Sequence, residues 1–337
     1  MSPVIGRSLA GALLALIGVA GYYAWKPHPS SPSAATEPPP PAPRVQRPTH
    51  AIAPSHLAAL TDPGRPWQVR IALLRNALQS ECGEPELRYL YDVLTMPPPK
   101  GERPEHWYVI ANECMEQLRR HDPDNERFSS SLLRLLHDPH QPLVLRDYAV
   151  QHLVTWLNPR SQQAKMQAAD PAQPAPQPTP EITARVLQAL VAATTDPALE
   201  QSSIPGTTLM MLVDLVRSPG EVDCRQAIAT LKPWLTQALQ DGSTLSTPVR
   251  VSAVQAAAVL APLEFRPILR RLAYHENGQS SLRLPAIAAI AHCGEAADLG
   301  PLQQIVRTHP ELSYAAQEAG ISLTSRLGPA TPDLQPK

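Results

Sequence analysis

Apolar residues recur three to four positions apart along most of the chain, placing them on one face of successive helices. Trp67, Ile71, Leu74 and Leu78 predict a helix over 67–79. Leu87, Leu90, Tyr91 and Leu94 predict another over 85–96, and Trp107, Ile110, Ala111 and Leu118 a third over 105–120. The run Met96-Pro-Pro-Pro-Lys-Gly101 breaks the chain between the last two. Further helices are expected over 128–138, 142–153, 181–191 and 208–216, and over 221–239 with a kink at Pro233. Three versions of one helix then follow, beginning near Thr247, Ser281 and Leu312, each preceded by a shorter apolar helix. Self-similarity at a period of roughly 30 to 45 residues marks stacked repeats. The expectation is an all-α body over 55–327, an α-solenoid of about six helical pairs behind a leading helix.

Two stretches depart from this pattern before the body begins. Residues 8–25 run without a charge and end in Tyr22, Tyr23 and Trp25, followed by Lys26. About 18 apolar residues approach the minimum for a spanning helix, and aromatic rings favour the headgroup layer. Segment 1–26 is therefore expected to be an uncleaved signal-anchor, with a cleaved signal peptide as the alternative. Residues 27–54 include Pro38 to Pro41 in succession and predict a disordered proline-rich linker. With Arg7 before the span and Lys26 after it, the N-terminus is expected in the cytoplasm and the bulk in the periplasm. Residues 158–180, rich in Gln, Ala and Pro, predict a flexible loop, and 328–337 a disordered tail.

The segment Leu132-Leu-Arg-Leu-Leu-His-Asp138-Pro, followed by Val144-Leu-Arg146-Asp-Tyr-Ala149 and Leu153, resembles a HEAT (armadillo-like) repeat. Pro248-Val-Arg250 and Leu282-Arg283 echo the second helix of that repeat, and Gly294 to Pro301 its following turn. The resemblance implies a right-handed solenoid of helical hairpins. It also implies that Asp138 and Arg146 form a structural pair between a turn and the next helix start. Hydroxylases of HEAT-like fold hold iron on repeated His-Glu pairs, whereas the repeat region here carries one, His275-Glu276. HEAT-like DNA glycosylases and bilin lyases fit poorly with an anchored, near-neutral chain.

Composition agrees with helices. Aromatic residues make up 4% of the 337 positions and Gly is scarce beside Ala and Leu. The 40 prolines fall mainly in the two low-complexity stretches, at helix first turns and between helices. A net charge of -1 and pI near 6.8 give no electrostatic reason to expect nucleic acid.

Candidate chemistry is sparse. The four cysteines form no Cys-x-x-Cys pair. An exported domain permits disulfides, and Cys82 with Cys114, on adjoining antiparallel segments, is the candidate bridge. Cys224 and Cys293, about two repeats apart, read as buried apolar residues. His137 and His140 flank a turn, and Asp124 or Asn125 suits a helix cap better than a calcium loop. Nucleophile-elbow and phosphate-loop motifs are absent. The expectation is a non-enzymatic scaffold without cofactor, tethered to the inner membrane and binding a protein partner of the cell envelope, with no small-molecule substrate evident. Arg266, Arg270, Arg271, Glu276 and Arg307 are its candidate contact residues. The rival expectations are an enzyme or enzyme accessory subunit with scattered site residues, and a soluble periplasmic solenoid.

Overall fold

The computed structural model describes residues 57–80, 82–158, 178–218, 222–275 and 280–328, all within one compact unit, His50–Lys337. Among the described residues the protein is entirely α-helical apart from short 3-10 turns, with no strand. Thirteen helices follow in order: α1 Trp67–Ser80, α2 Glu84–Thr95, α3 Pro104–His121, α4 Asn125–His137, α5 Leu143–Leu157, α6 Pro180–Thr195 and α7 Ile204–Arg217, then α8 Arg225–Ala238, α9 Thr247–Leu260, α10 Pro262–Tyr274, α11 Ser280–Cys293, α12 Leu299–Thr308 and α13 Pro310–Leu327.

The starts follow from local chemistry. Pro stands in the first turn of α2, α3, α6, α7, α9, α10 and α13, where its missing N–H costs nothing. Asp124 caps α4 by accepting from the Arg127 amide at 3.0 Å, and Thr179 caps α6 by accepting from Ile182 at 3.3 Å. Helix α8 runs unbroken through Pro233, although that proline lacks the N–H for one rung of its ladder.

Odd- and even-numbered helices play different parts. Each odd helix packs on the next odd helix, from α1 to α13, and each even helix packs on the odd helix that follows it. Side chains explain the close odd–odd packing in the later part. In α9, Ala253, Ala256, Ala257 and Ala258 are all buried, and in α11 so are Ala286 and Ala289, so backbones approach with little bulk between them. A helix apolar on most sides must be covered on most sides. The core between the two sets is continuous, from Leu90 and Ile110 through Leu136, Leu153, Leu190 and Leu212 to Leu235, Ile287 and Leu323.

One device recurs at the start of the odd helices. The fourth residue of α1, α5, α9 and α11 is an arginine, and all four are buried: Arg70 at 1% exposure, Arg146 at 8%, Arg250 at 3% and Arg283 at 7%. Each guanidinium donates to a backbone carbonyl just upstream: Arg70 to Leu60 at 3.2 Å, Arg146 to Leu136 at 2.7 Å, Arg250 to Ala238 at 2.9 Å and Arg283 to Ala273 at 3.1 Å. In α3 the fourth residue is Trp107, whose indole Nε1 donates to Met96 O at 3.2 Å. The last carbonyls of a helix have no partner within it, so a charged or indole donor from the following helix fills an unmet need. Thr207 and Ser313, at the same place in α7 and α13, are too short to do this.

Candidate functional site

The charged residues expected to meet a partner are mostly occupied in joining successive even helices. Asp298, 2% exposed, sits at the start of α12 and accepts from Arg270 Nε at 2.8 Å and Nη2 at 2.7 Å, from Tyr274 Oη at 3.0 Å, and from the Glu295 amide at 2.7 Å. Burial works against its charge, but the Arg270, Glu295 and Tyr274 bonds outweigh it and hold the carboxyl below its ordinary pKa. The Tyr274 hydroxyl, by contrast, is pushed well up by burial and by the Asp298 charge.

Asp122, with its side chain fully buried, repeats the arrangement between α2 and α4. It accepts from Tyr91 Oη at 2.5 Å, from Arg127 at 2.8 and 2.9 Å, and from the Asp124 amide at 2.9 Å. Arg127 also clasps Glu84, with both contacts at 2.7 Å. Ion pairs Arg185–Glu126 and Lys232–Glu264 link α6 to α4 and α8 to α10. Carboxylate bridges thus connect even helices that do not pack closely, notably α2 with α4 and α10 with α12.

Arg266 donates to Cys293 O at 2.6 Å and pairs with Glu295, while Arg271 pairs with Asp241 and donates to Leu239 O at 3.3 Å. Arg266, Arg270 and Arg271 are therefore ties between neighbouring pairs. Glu276 lies outside the described residues. Arg146 is placed at the turn as expected, but its bond goes to Leu136 O. Asp138 instead accepts from the His140 amide at 2.9 Å and from Gln141 at 3.3 Å.

All four cysteines are free thiols, so the Cys82–Cys114 bridge is not present. Asp122, at the end of α3, acts on the Cys82 thiol, whereas Cys114 lies eight residues earlier, roughly 12 Å along the helix. A disulfide needs Cα atoms within about 7 Å. Burial pushes Cys82 and Cys224 each up to about 11, and Cys114, fully buried, higher still, so none is a ready thiolate.

His152 on α5 is another buried titratable group. Its Nε2 lies 3.0 Å from Asn112 Oδ1 and its Nδ1 3.8 Å from Glu116. Burial lowers its pKa to about 4 despite the opposing Glu116 charge. Nearby Glu113 is held by Arg75 at 2.5 and 2.9 Å and by Gln117 at 2.6 Å. Among the described residues no group of three His, Cys, Asp or Glu is arranged to hold a metal ion.

Arg307 is the exception among the expected contact residues. It is exposed, and among the described residues it has no ionic partner. It stands on an open groove of about 760 Å³ between α12 and α13. Leu302 and Ala316, each 1% exposed, form the floor, with Val306 beside them, while Ile321 is 56% exposed. A side chain added at Gly320 would meet nothing within 4 Å, so the backbone of α13 is open to close approach there. Arg307 is the one residue of this groove that sequence reasoning singled out. The rest depends on α12 and α13 having no following pair among the described residues to cover them.

By fold, then, this is an all-helical protein of paired, layered helices. No family model matches the chain, and no curated protein matches it. A solved structure of human deoxyhypusine hydroxylase in complex with glycerol is similar over 80% of this chain and 94% of that one, at 17% identity and a TM-score of 0.27. A likeness at that TM-score carries no argument about this chain's own activity. The expectation of a non-enzymatic scaffold is set aside, since the similar structure is that of an enzyme and gives it no support. The membrane placement is corrected too. Among the described residues no helix is long and apolar enough to cross a membrane, and segment 1–26, on which the expectation rested, lies outside them.

Proposed function

We propose that the described helices form a HEAT-like α-solenoid that serves as a recognition unit, of the kind an enzyme uses as an accessory subunit, and that it takes an extended segment of a partner protein into the α12–α13 groove. The observation that carries this reading is the groove itself: an apolar floor, open backbone at Gly320 and, at its rim, the Arg307 cation, which has no ionic partner among the described residues. Extended peptides bind such surfaces by laying apolar side chains in the floor while the rim charge sets direction and register. The solenoid reading is supported by the alternation of odd and even helices and by the recurring fourth-residue donor.

The test is selection of extended peptides from a random display library on the full chain. Selected peptides should combine an apolar residue with a nearby carboxylate. They should lose binding to the Ile321→Arg variant and keep it with Leu263→Arg, which alters a 75% exposed residue on α10. Equal binding to both variants, or no selection at all, would sink the reading.

A further inference from the structure

Arg283, the fourth residue of α11, is 7% exposed, yet its guanidinium is only partly engaged. Its Nε donates to Ala273 O at 3.1 Å, and among the described residues neither Nη1 nor Nη2 has an acceptor. Arg70 and Arg250 carry a further nitrogen to a second acceptor, Glu102 and the Gln240 carbonyl. Arg146 also engages through Nε alone, and Arg283 in addition lines a cavity of about 60 Å³. A buried guanidinium keeps its charge and its donors, so two idle nitrogens beside open space mark a missing acceptor.

The cavity is walled by Tyr274 at the end of α10 and by Gln304, Ile305 and Thr308 of α12, with His309 just beyond. Most of its polar groups are already spent. Tyr274 gives its hydroxyl to Asp298, whose charge Arg270 meets, and Thr308 gives its own to Gln304 O at 3.0 Å. Glu311 lies 3.4 Å from His309 Nδ1. The Arg283 charge and the exposed side-chain amide of Gln304 remain without partners among the described residues. At about 30 Å³ per water the cavity takes about two, which is room for the two oxygens of a carboxylate but not the four of a phosphate. Two nitrogens of one guanidinium edge match that pair of oxygens, and one positive charge matches one negative.

We propose that this cavity is a carboxylate site, in which Arg283 Nη1 and Nη2 donate to the two oxygens and the Gln304 amide adds a third bond. A small free monocarboxylate and an acidic side chain of a partner protein offer the same group. The site goes beyond the peptide groove and does not depend on it. Its α12 residues, Gln304, Ile305 and Thr308, lie on a different face of that helix from Leu302, Val306 and Arg307.

Saturation-transfer NMR on the full chain tests this with two probes, propionate and glutamate capped at both its amino and α-carboxyl groups. Saturation should pass from the protein to a bound probe. Transfer to the capped glutamate would identify a protein side chain as the natural source, and transfer to propionate alone a free acid. Gln304→Glu sets a carboxylate of nearly the same shape beside Arg283. It should weaken either probe at least about tenfold while helical circular dichroism stays unchanged. Arg307→Gln, on the groove, should leave both probes bound as before, which keeps this site separate from the peptide reading. Transfer to neither probe would overturn the proposal and leave water as the acceptor. Binding undiminished by Gln304→Glu, or lost with Arg307→Gln, would overturn it by placing the carboxylate elsewhere. Inorganic phosphate bound more tightly than propionate would overturn the ligand class.

Discussion

Arg146 Nε on α5 donates to the carbonyl of Leu136, 2.7 Å away, one residue before α4 ends. The bond joins the two helices of a pair at the point where the chain turns. It leaves a guanidinium at 8% exposure with a carbonyl that α4 itself cannot satisfy. The same relationship at Arg250 and Arg283 marks it as a property of the architecture.

Removing that donor should be costly. Arg146→Ala strands the Leu136 carbonyl and opens space, so a loss of about 2 kcal/mol in chemical denaturation is expected. Arg146→Lys, which keeps a donor without the planar fork, should recover only part of it. An unchanged midpoint for the alanine variant would show that water or another group serves the carbonyl equally well.

Trp107 combines the same role with bulk, since it is 1% exposed and donates to Met96 O. Trp107→Phe keeps much of the volume and loses the donor, so it should cost about 1–2 kcal/mol, against about 3–5 for Trp107→Ala. A denaturation series on the two variants separates the hydrogen bond from the packing.

His152 should make the protein sensitive to mild acid. Its folded pKa, about 4, lies below the ordinary value of 6.5, so the unfolded chain takes up its proton first as pH falls. Its contribution is fully present above about 6.5 and is lost between there and about 4, an effect on the order of 2–3 kcal/mol. His152→Gln, which retains an amide able to meet Asn112, should flatten stability against pH across that window. A curve that keeps its slope there would assign the acid sensitivity elsewhere.

Asp298 acts at lower pH. Because its folded pKa lies below the ordinary carboxyl value, its contribution is complete above about 4 and is lost as pH falls further. Asp298→Asn removes the charge that Arg270 and Tyr274 face, and a loss of about 3 kcal/mol at neutral pH is expected from a broken buried pair. Asp298→Asn should also bring the Tyr274 hydroxyl back toward its ordinary titration, which ultraviolet absorbance in alkali can follow.

Helices were legible because their periodicity is a local property. The predicted 67–79 became Trp67–Ser80, and the predicted 105–120 became Pro104–His121. Arg146 could be singled out because it recurs at a fixed offset, but its acceptor could not. A backbone carbonyl has no letter of its own, so the visible Asp138 stood in for it. The ties made by Arg266, Arg270 and Arg271 were hidden for a related reason. A charge on a helix surface looks the same in sequence whether it faces solvent or a carboxylate some 25 to 30 positions away, as all three do here. The groove was least legible of all, because it comes from what does not follow α13 among the described residues.

Each fourth-residue donor reaches back only 10 to 12 positions, so every such bond closes inside a single turn of chain. A gene that gained or lost one complete pair would therefore break none of the others. The 21-residue stretch between Leu157 and Thr179 falls between two pairs, where extra length leaves these bonds whole. Change in this chain is cheapest when it comes in units of about 40 residues and dearest when it falls inside a turn.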